Sequence, residues 1–317
     1  MTTYSDKIAA ADIEFEERIP EDRRWEIWNS INALVTRRIA ENVRRRERAA
    51  EDRFLADGLQ EPLLDQVRAS ARGADALRLA AERARTGTLD VSELPTVSAQ
   101  DPTQHVSVGM LDYPFATNRD FEGPATRIFS IPYDFSWSWH DQHGSAPFNQ
   151  IITRSSGRAA LDARVGNAPG ATGSFVATHA GYGVSLRSDH RVACMARSLR
   201  STHDVGAASV GLNADATVEA GCEMTVMQNG HLVTIAVDKR FRGRISGSVG
   251  HPTENYNYDN GGFGTGETIE VLWTMEADTN YELNVGAWVF AETQHGIGGA
   301  GAQSLIDAKI ILMSLWQ

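Results

Sequence analysis

The sequence predicts an α+β fold in two segments: an N-terminal α-helical hairpin or arm, followed by an antiparallel β-sandwich of jelly-roll type. Three observations predict it. Residues 1–90 hold no Gly before Gly58, are rich in Ala, Arg, Glu and Leu, and repeat apolar residues at three- and four-residue steps. From about 106 onward the apolar period becomes two, and strand-like runs alternate with Gly, Asn, Asp and Pro clusters. No helical stretch lies between those runs, so the crossovers that a parallel sheet needs have no place to sit. The boundaries follow: a helical arm over 1–88, a linker over 89–105 and a sandwich over 106–317.

The arm opens at Pro20, which suits a first helical turn, with Glu21 and Asp22 placed where negative charge favours the N-terminal end. Trp25, Trp28, Ile31, Leu34, Val35, Ile39 and Val43 then form an amphipathic stripe. An isolated helix cannot bury such a stripe, so these residues must dock on the chain's own sandwich or on another copy. Ala-Asp-Gly at 56–58 is expected to break the helix, and Pro62 to open a second one carrying Leu63, Leu64, Val67, Ala71, Ala74, Leu77 and Ala81. Two Pro and many turn formers mark the linker.

Eleven strand-like runs follow, from TRIFSIPYDFSWSW through SLIDAKIILMSLW. Asn229 and Gly230 lie between two apolar runs, the strongest local hairpin signal in the chain. In FSWSW, Phe135, Trp137 and Trp139 share one face, which reads as sandwich core, with DQHG after it as a turn. The run over 205–220 lacks the clean lipid-facing row of a membrane hairpin.

Charge narrows the partners. The 317 residues carry a net charge of −11. The first 90 hold 16 basic and 18 acidic residues, leaving 14 basic and 23 acidic for the remainder. Such a surface repels phosphate backbones, so nucleic acid is not expected as a partner. The N-terminus is polar and acidic without a signal-like apolar run, and no apolar run is long enough to span a bilayer. Cytoplasmic synthesis without Sec export, no membrane insertion, and a place in a particle or released assembly are expected. Cys194 and Cys222 are expected to be buried free thiols.

Candidate sites are few. HPTENYNYDNGGFGTGE over 251–267 reads as the longest irregular stretch of the sandwich, and its Tyr256, Tyr258, Asp259 and Phe263 have the composition of a binding loop. His140 and His143, with Asp141 between them, are the candidates for a metal-dependent hydrolase; a third ligand would have to come from elsewhere, Asp141 or His105, and no HExxH pattern accompanies them. No G-x-S-x-G elbow occurs, and the Gly-rich 294–304 lacks the Lys-Ser/Thr of a phosphate loop. No cofactor is expected.

The expected function is therefore a non-enzymatic structural or assembly protein. It would self-associate through Trp25, Trp28, Ile31, Leu34, Val35 and Ile39 as a homo-oligomer, in a filament, shell, fibre or appendage. The alternatives are a lectin-like module binding a glycan or a partner protein through 251–267, and the hydrolase.

Overall fold

The computed structural model describes residues 10–69, 127–144, 146–167, 173–247, 254–263, 266–294 and 299–317, with side chains of 46–69 outside that description. The linker 89–105, and the part of the expected second helix beyond 69, lie outside the described residues.

The described chain is one helix and two antiparallel sheets. It begins with β1 (Asp12–Phe15), α1 (Glu21–Ala69), β2 (Arg127–Ser130), β3 (Phe135–His143), β4 (Phe148–Thr153) and β5 (Arg158–Asn167). Next come β6 (Ser174–Ser188), β7 (Val192–Val210), β8 (Asp215–Gln228) and β9 (His231–Ser246). The last four are β10 (Glu254–Asp259), β11 (Glu267–Met275), β12 (Thr279–Gln294) and β13 (Ala300–Trp316).

The expected helical hairpin is not found among the described residues. A single helix runs through Gly58 and Pro62 without a break. One interior Gly costs about 1 kcal/mol and one interior Pro about 3 kcal/mol against Ala, and the strong helix formers on either side carry the helix through both. A short strand was also hidden in the polar N-terminus. In DIEF, Ile13 and Phe15 alternate with Asp12 and Glu14, and the segment pairs with β3 from Asp12↔Ser138 to Phe15↔Phe135.

One sheet has the order β1-β3-β6-β12-β8-β9. The other has the order β10-β7-β13-β5-β4, with β11 also on β7 and β2 also on β13. β7 spans 19 residues, long enough for β11 and β10 to lie end to end along one edge, against 192–200 and 205–210. The pairing is nested: β5, β6, β7 and β8 meet β13, β12, the β10/β11 pair and β9. The hairpin expected at Asn229 and Gly230 joins β8 to β9, and both residues have positive φ (50° and 78°) as a tight primed turn requires.

The main core lies between the sheets and includes Leu161, Tyr182, Val226, Leu283, Val285, Ile306 and Ile310. Strand alternation sends the other set of side chains of β6, β8 and β12 to the outer face of the first sheet. That face is not left to water. Ile27, Ile31, Leu34 and Val35 of α1 pack on it with Phe135, Trp137, Trp139 and Met227 in a second cluster. The aromatic face of FSWSW is thus buried against the helix rather than between the sheets, and DQH continues β3 instead of turning. The turn falls at Gly144, whose φ is +76°. The Trp137 indole lies over Gly181 and Gly286, where a Cβ at either position would stand about 3 Å from the ring.

Candidate functional site

The most developed polar arrangement is the seam between α1 and the outer face of the first sheet. Helical spacing puts Arg23, Ser30, Arg38 and Arg45 beside the apolar stripe of Ile27, Ile31, Leu34 and Val35. Strand spacing puts Glu282 of β12, and Glu219 and Glu223 of β8, on the face below. Each buried carboxylate then meets a helix cation. Arg23 reaches Glu282 at 3.3 Å, and the Ser30 hydroxyl donates to the same carboxylate at 2.8 Å. Arg38 pairs with Glu223. Arg45 pairs with Glu219 at 3.4 Å and lays its guanidinium 4.4 Å from the Phe290 ring centroid. These contacts advance along β12 from residue 282 to residue 290 as the helix advances from 23 to 45, so helix and strand run side by side.

Between these pairs lies His179 of β6. It stacks on Trp139 at 4.4 Å and stands 6.3 Å from Trp288. Burial pushes its pKa well below the ordinary imidazole value, and Arg38 and Arg45 push the same way. The ring is therefore neutral, although its Nδ1 is 3.9 Å from Glu223. With α1 over it, this imidazole has no route to a substrate and acts as a packing group.

The stripe residues are divided by this docking. Ile31, Leu34 and Val35 are buried on the chain's own sheet, with Ile39 packed at the cluster's margin. Trp25 and Trp28 are not buried: they are 62% and 38% exposed, and they stack on each other at 5.2 Å with 7° between planes.

The stretch 251–267 is not one irregular loop. Residues 254–259 form β10, in register with β7 from Glu254↔Val210 to Asp259↔Val205. Alternation turns Tyr256 over Gly243 and Tyr258 against Phe241 at 4.9 Å, so both rings pack at the margin of the core. Tyr258 also bonds Asp204, which Arg240 and Asn260 hold from other sides. Asp259 stays outside, 3.4 Å from His203 and accepting from the Gly261 N–H at 2.9 Å, and Phe263 tilts on His203 at 5.5 Å. The four residues proposed from sequence thus separate: Tyr256 and Tyr258 turn inward, Asp259 is exposed, and Phe263 is half-buried against His203.

The two histidines of β3 also separate. Three residues along a strand reverse the face, so His140 lies against Phe148 at 4.2 Å and His143 against Phe175 at 6.4 Å. Asn42 of α1 bonds Asp141 at 3.4 Å. Among the described residues no three His, Cys, Asp or Glu side chains are grouped to hold a metal. Both cysteines are free and buried, in different sheets, and burial pushes their thiols up to about 12 for Cys194 and about 11 for Cys222. Among the described residues no helix is long and apolar enough to cross a membrane.

Sequence reading missed the three Arg–Glu pairs. The cations are visible as a helical face, but their partners are 174–259 positions away.

No protein-family model and no curated protein matches the chain. Among solved structures it is similar to the enzymatically active domain of tailspike protein 4 of bacteriophage CBA120, at 9% identity and a TM-score of 0.16. That match covers 55% of this chain and 19% of the tailspike domain. It is also similar to the family 11 carbohydrate-binding module from Clostridium thermocellum, at 10% identity and a TM-score of 0.14, over 56% of this chain and 94% of the module. A structure of infectious bursal disease virus Gx strain matches at 8% identity and a TM-score of 0.13, over 61% and 42% of the two chains. At these scores the likenesses assign neither fold nor function.

Proposed function

We propose that the chain is a non-enzymatic assembly subunit. Residues 1–88 serve as the association arm, and 106–317 form the displayed sandwich of a particle or fibre. The sandwich is a jelly roll on this reading. The nested pairing of β5–β8 with β13, β12, β10/β11 and β9 supports it, because a long antiparallel ribbon rolled into two four-stranded sheets has that order. β1 and β3 extend one sheet, while β2 and β4 extend the other.

One observation carries the association reading: the stacked pair Trp25 and Trp28 remains in solvent while the rest of the helical stripe is satisfied within the chain. Two adjacent aromatic rings are the kind of anchor that a partner surface buries. The helix supplies reach as well. At 49 residues it is about 73 Å long, whereas β12, beside which it runs, has 16 residues and is about 53 Å long. The partner is most simply another copy of this chain.

The test is the mass in solution by light scattering across a wide concentration range. A mass above the 34.6 kDa of one chain is expected, falling toward it in the double variant Trp25→Ala, Trp28→Ala. Ala is a good helix former, so α1 should survive the change, and circular dichroism checks that it does. A wild-type mass of 34.6 kDa at every concentration would sink the proposal. The alternatives have less to stand on. Glycan binding at 254–263 would rest on Asp259 and Phe263, since Tyr256 and Tyr258 are turned inward, and the hydrolase would need His140 and His143 on one face.

A further inference from the structure

A groove of about 740 Å³ opens between the middle of α1, over residues 37–45, and the end of the first sheet. Five arginines line it: Arg37, Arg44 and Arg45 from α1, and Arg242 and Arg244 from β9. The carboxylates on its walls are Glu41, Glu219 and Glu292. The local sign of charge is therefore reversed in a chain whose total is −11.

The way those charges are used singles out two arginines. Arg37 is held by Glu41 at 3.1 Å. Arg45, Arg242 and Lys239 all converge on the one buried carboxylate of Glu219, at 3.4, 3.2 and 3.0 Å. Among the described residues Arg44 donates only to the Ala40 carbonyl of its own helix turn, at 3.2 Å. Arg244 has no hydrogen bond or ion pair among the described residues. Register explains how it arrives there: β9 sets Arg242 across from Glu219 and Arg244 across from Thr217, so both project on the helix side of the sheet. Two guanidinium forks without acidic partners thus face one concavity from elements some 200 residues apart. Guanidinium is the group best shaped for tetrahedral oxyanions, which it meets with paired N–H donors.

Size and field decide the kind of anion. A volume of several hundred Å³ suits a small molecule rather than a polymer. A long phosphate backbone would leave the groove and run over a sandwich that holds 21 acidic and 14 basic residues over 106–317, which repels it.

We infer that this groove binds a small, multiply charged phosphate or sulfate ester, held between Arg44 and Arg244. The site is separate from the Trp25 and Trp28 surface and does not depend on self-association.

Isothermal titration of the full chain with pyrophosphate tests it. Saturable 1:1 binding that weakens with added NaCl is expected, together with at least a tenfold loss of affinity in Arg44→Gln, Arg244→Gln. Both side chains are exposed and neither holds α1 in place, so the variant should keep the wild-type spectrum and melting temperature. Arg191→Gln, an exposed arginine paired with Glu276 elsewhere on the surface, should bind as wild type does. Titration with a sulfated disaccharide separates the two esters, and saturable binding of either supports the site. Three results would overturn it: no saturation by any of these anions, equal affinity in the double variant, or tighter binding of a single-stranded 12-mer oligonucleotide than of pyrophosphate.

Discussion

Glu282 lies under α1 at 1% exposure, where Ser30 and Arg23 both reach its carboxylate. Burial raises its pKa above the ordinary 4.5, and the two helix partners only partly oppose that. The folded state therefore holds this proton more tightly than the unfolded chain does. The stabilisation from protonating Glu282 is present below pH 4.5 and is lost as pH rises through the raised folded-state value. Asp204 works in the same direction from its ordinary 3.8, since its burial outweighs Arg240, Tyr258 and Asn260. In Glu282→Gln the titrating group is gone while an oxygen remains for the Ser30 hydroxyl. Urea unfolding between pH 4.5 and 7 should then show a shallower fall in stability than in wild type; parallel curves would contradict this assignment. Nothing near Glu282 in the chain announces this role. TNYELNVGAW reads as a plain strand, and the burial of the glutamate comes from a helix some 250 residues earlier.

α1 and the sheet beneath it are matched by both shape and charge. Arg38 shows how strongly. Its partner Glu223 has a side chain only 2% exposed, so Arg38→Met would leave a buried carboxylate without its counterion, at a cost on the order of 3–5 kcal/mol. Adding Glu223→Met removes the stranded charge, and the double variant should recover most of that loss in chemical denaturation. A double variant no more stable than the single one would show that the two side chains do not act as a pair. At this scale much was legible. The stripe of Ile31, Leu34, Val35 and Ile39 required a docking surface, and it has one, but Ile27 takes the buried place that the periodicity gave to Trp25 and Trp28. The helix end was misread because Gly58 and Pro62 are local signals, and local signals yield when the flanking sequence favours helix. β10 was misread for a related reason: ENYNYD alternates as a strand should, but its Asn, Tyr and nearby Gly also suit a loop, and only pairing with β7 decides between them.

In the whole molecule the strands differ in how well they are held. β3, β6, β12 and β8 are flanked on both sides in one sheet, as are β7, β13 and β5 in the other. Among the described residues β1, β9, β10 and β4 have one neighbour each. Amide hydrogen exchange should therefore be slowest in β12, β7 and β13 and fastest in β1, β4 and β10. Edge strands as protected as β12 would indicate that further residues, of this chain or of another, cover them. The sequence by itself determined what depends on near neighbours: the helical stripe, the period-two runs, the turn at Asn229 and Gly230, and the acidic balance. The tertiary structure alone decided that Phe135, Trp137 and Trp139 face a helix, that Tyr256 and Tyr258 turn inward, and that the arginines of α1 and β9 surround one groove. Each of these depends on register and on contacts between residues far apart in the chain, and periodicity carries no information about which distant face a given face will meet.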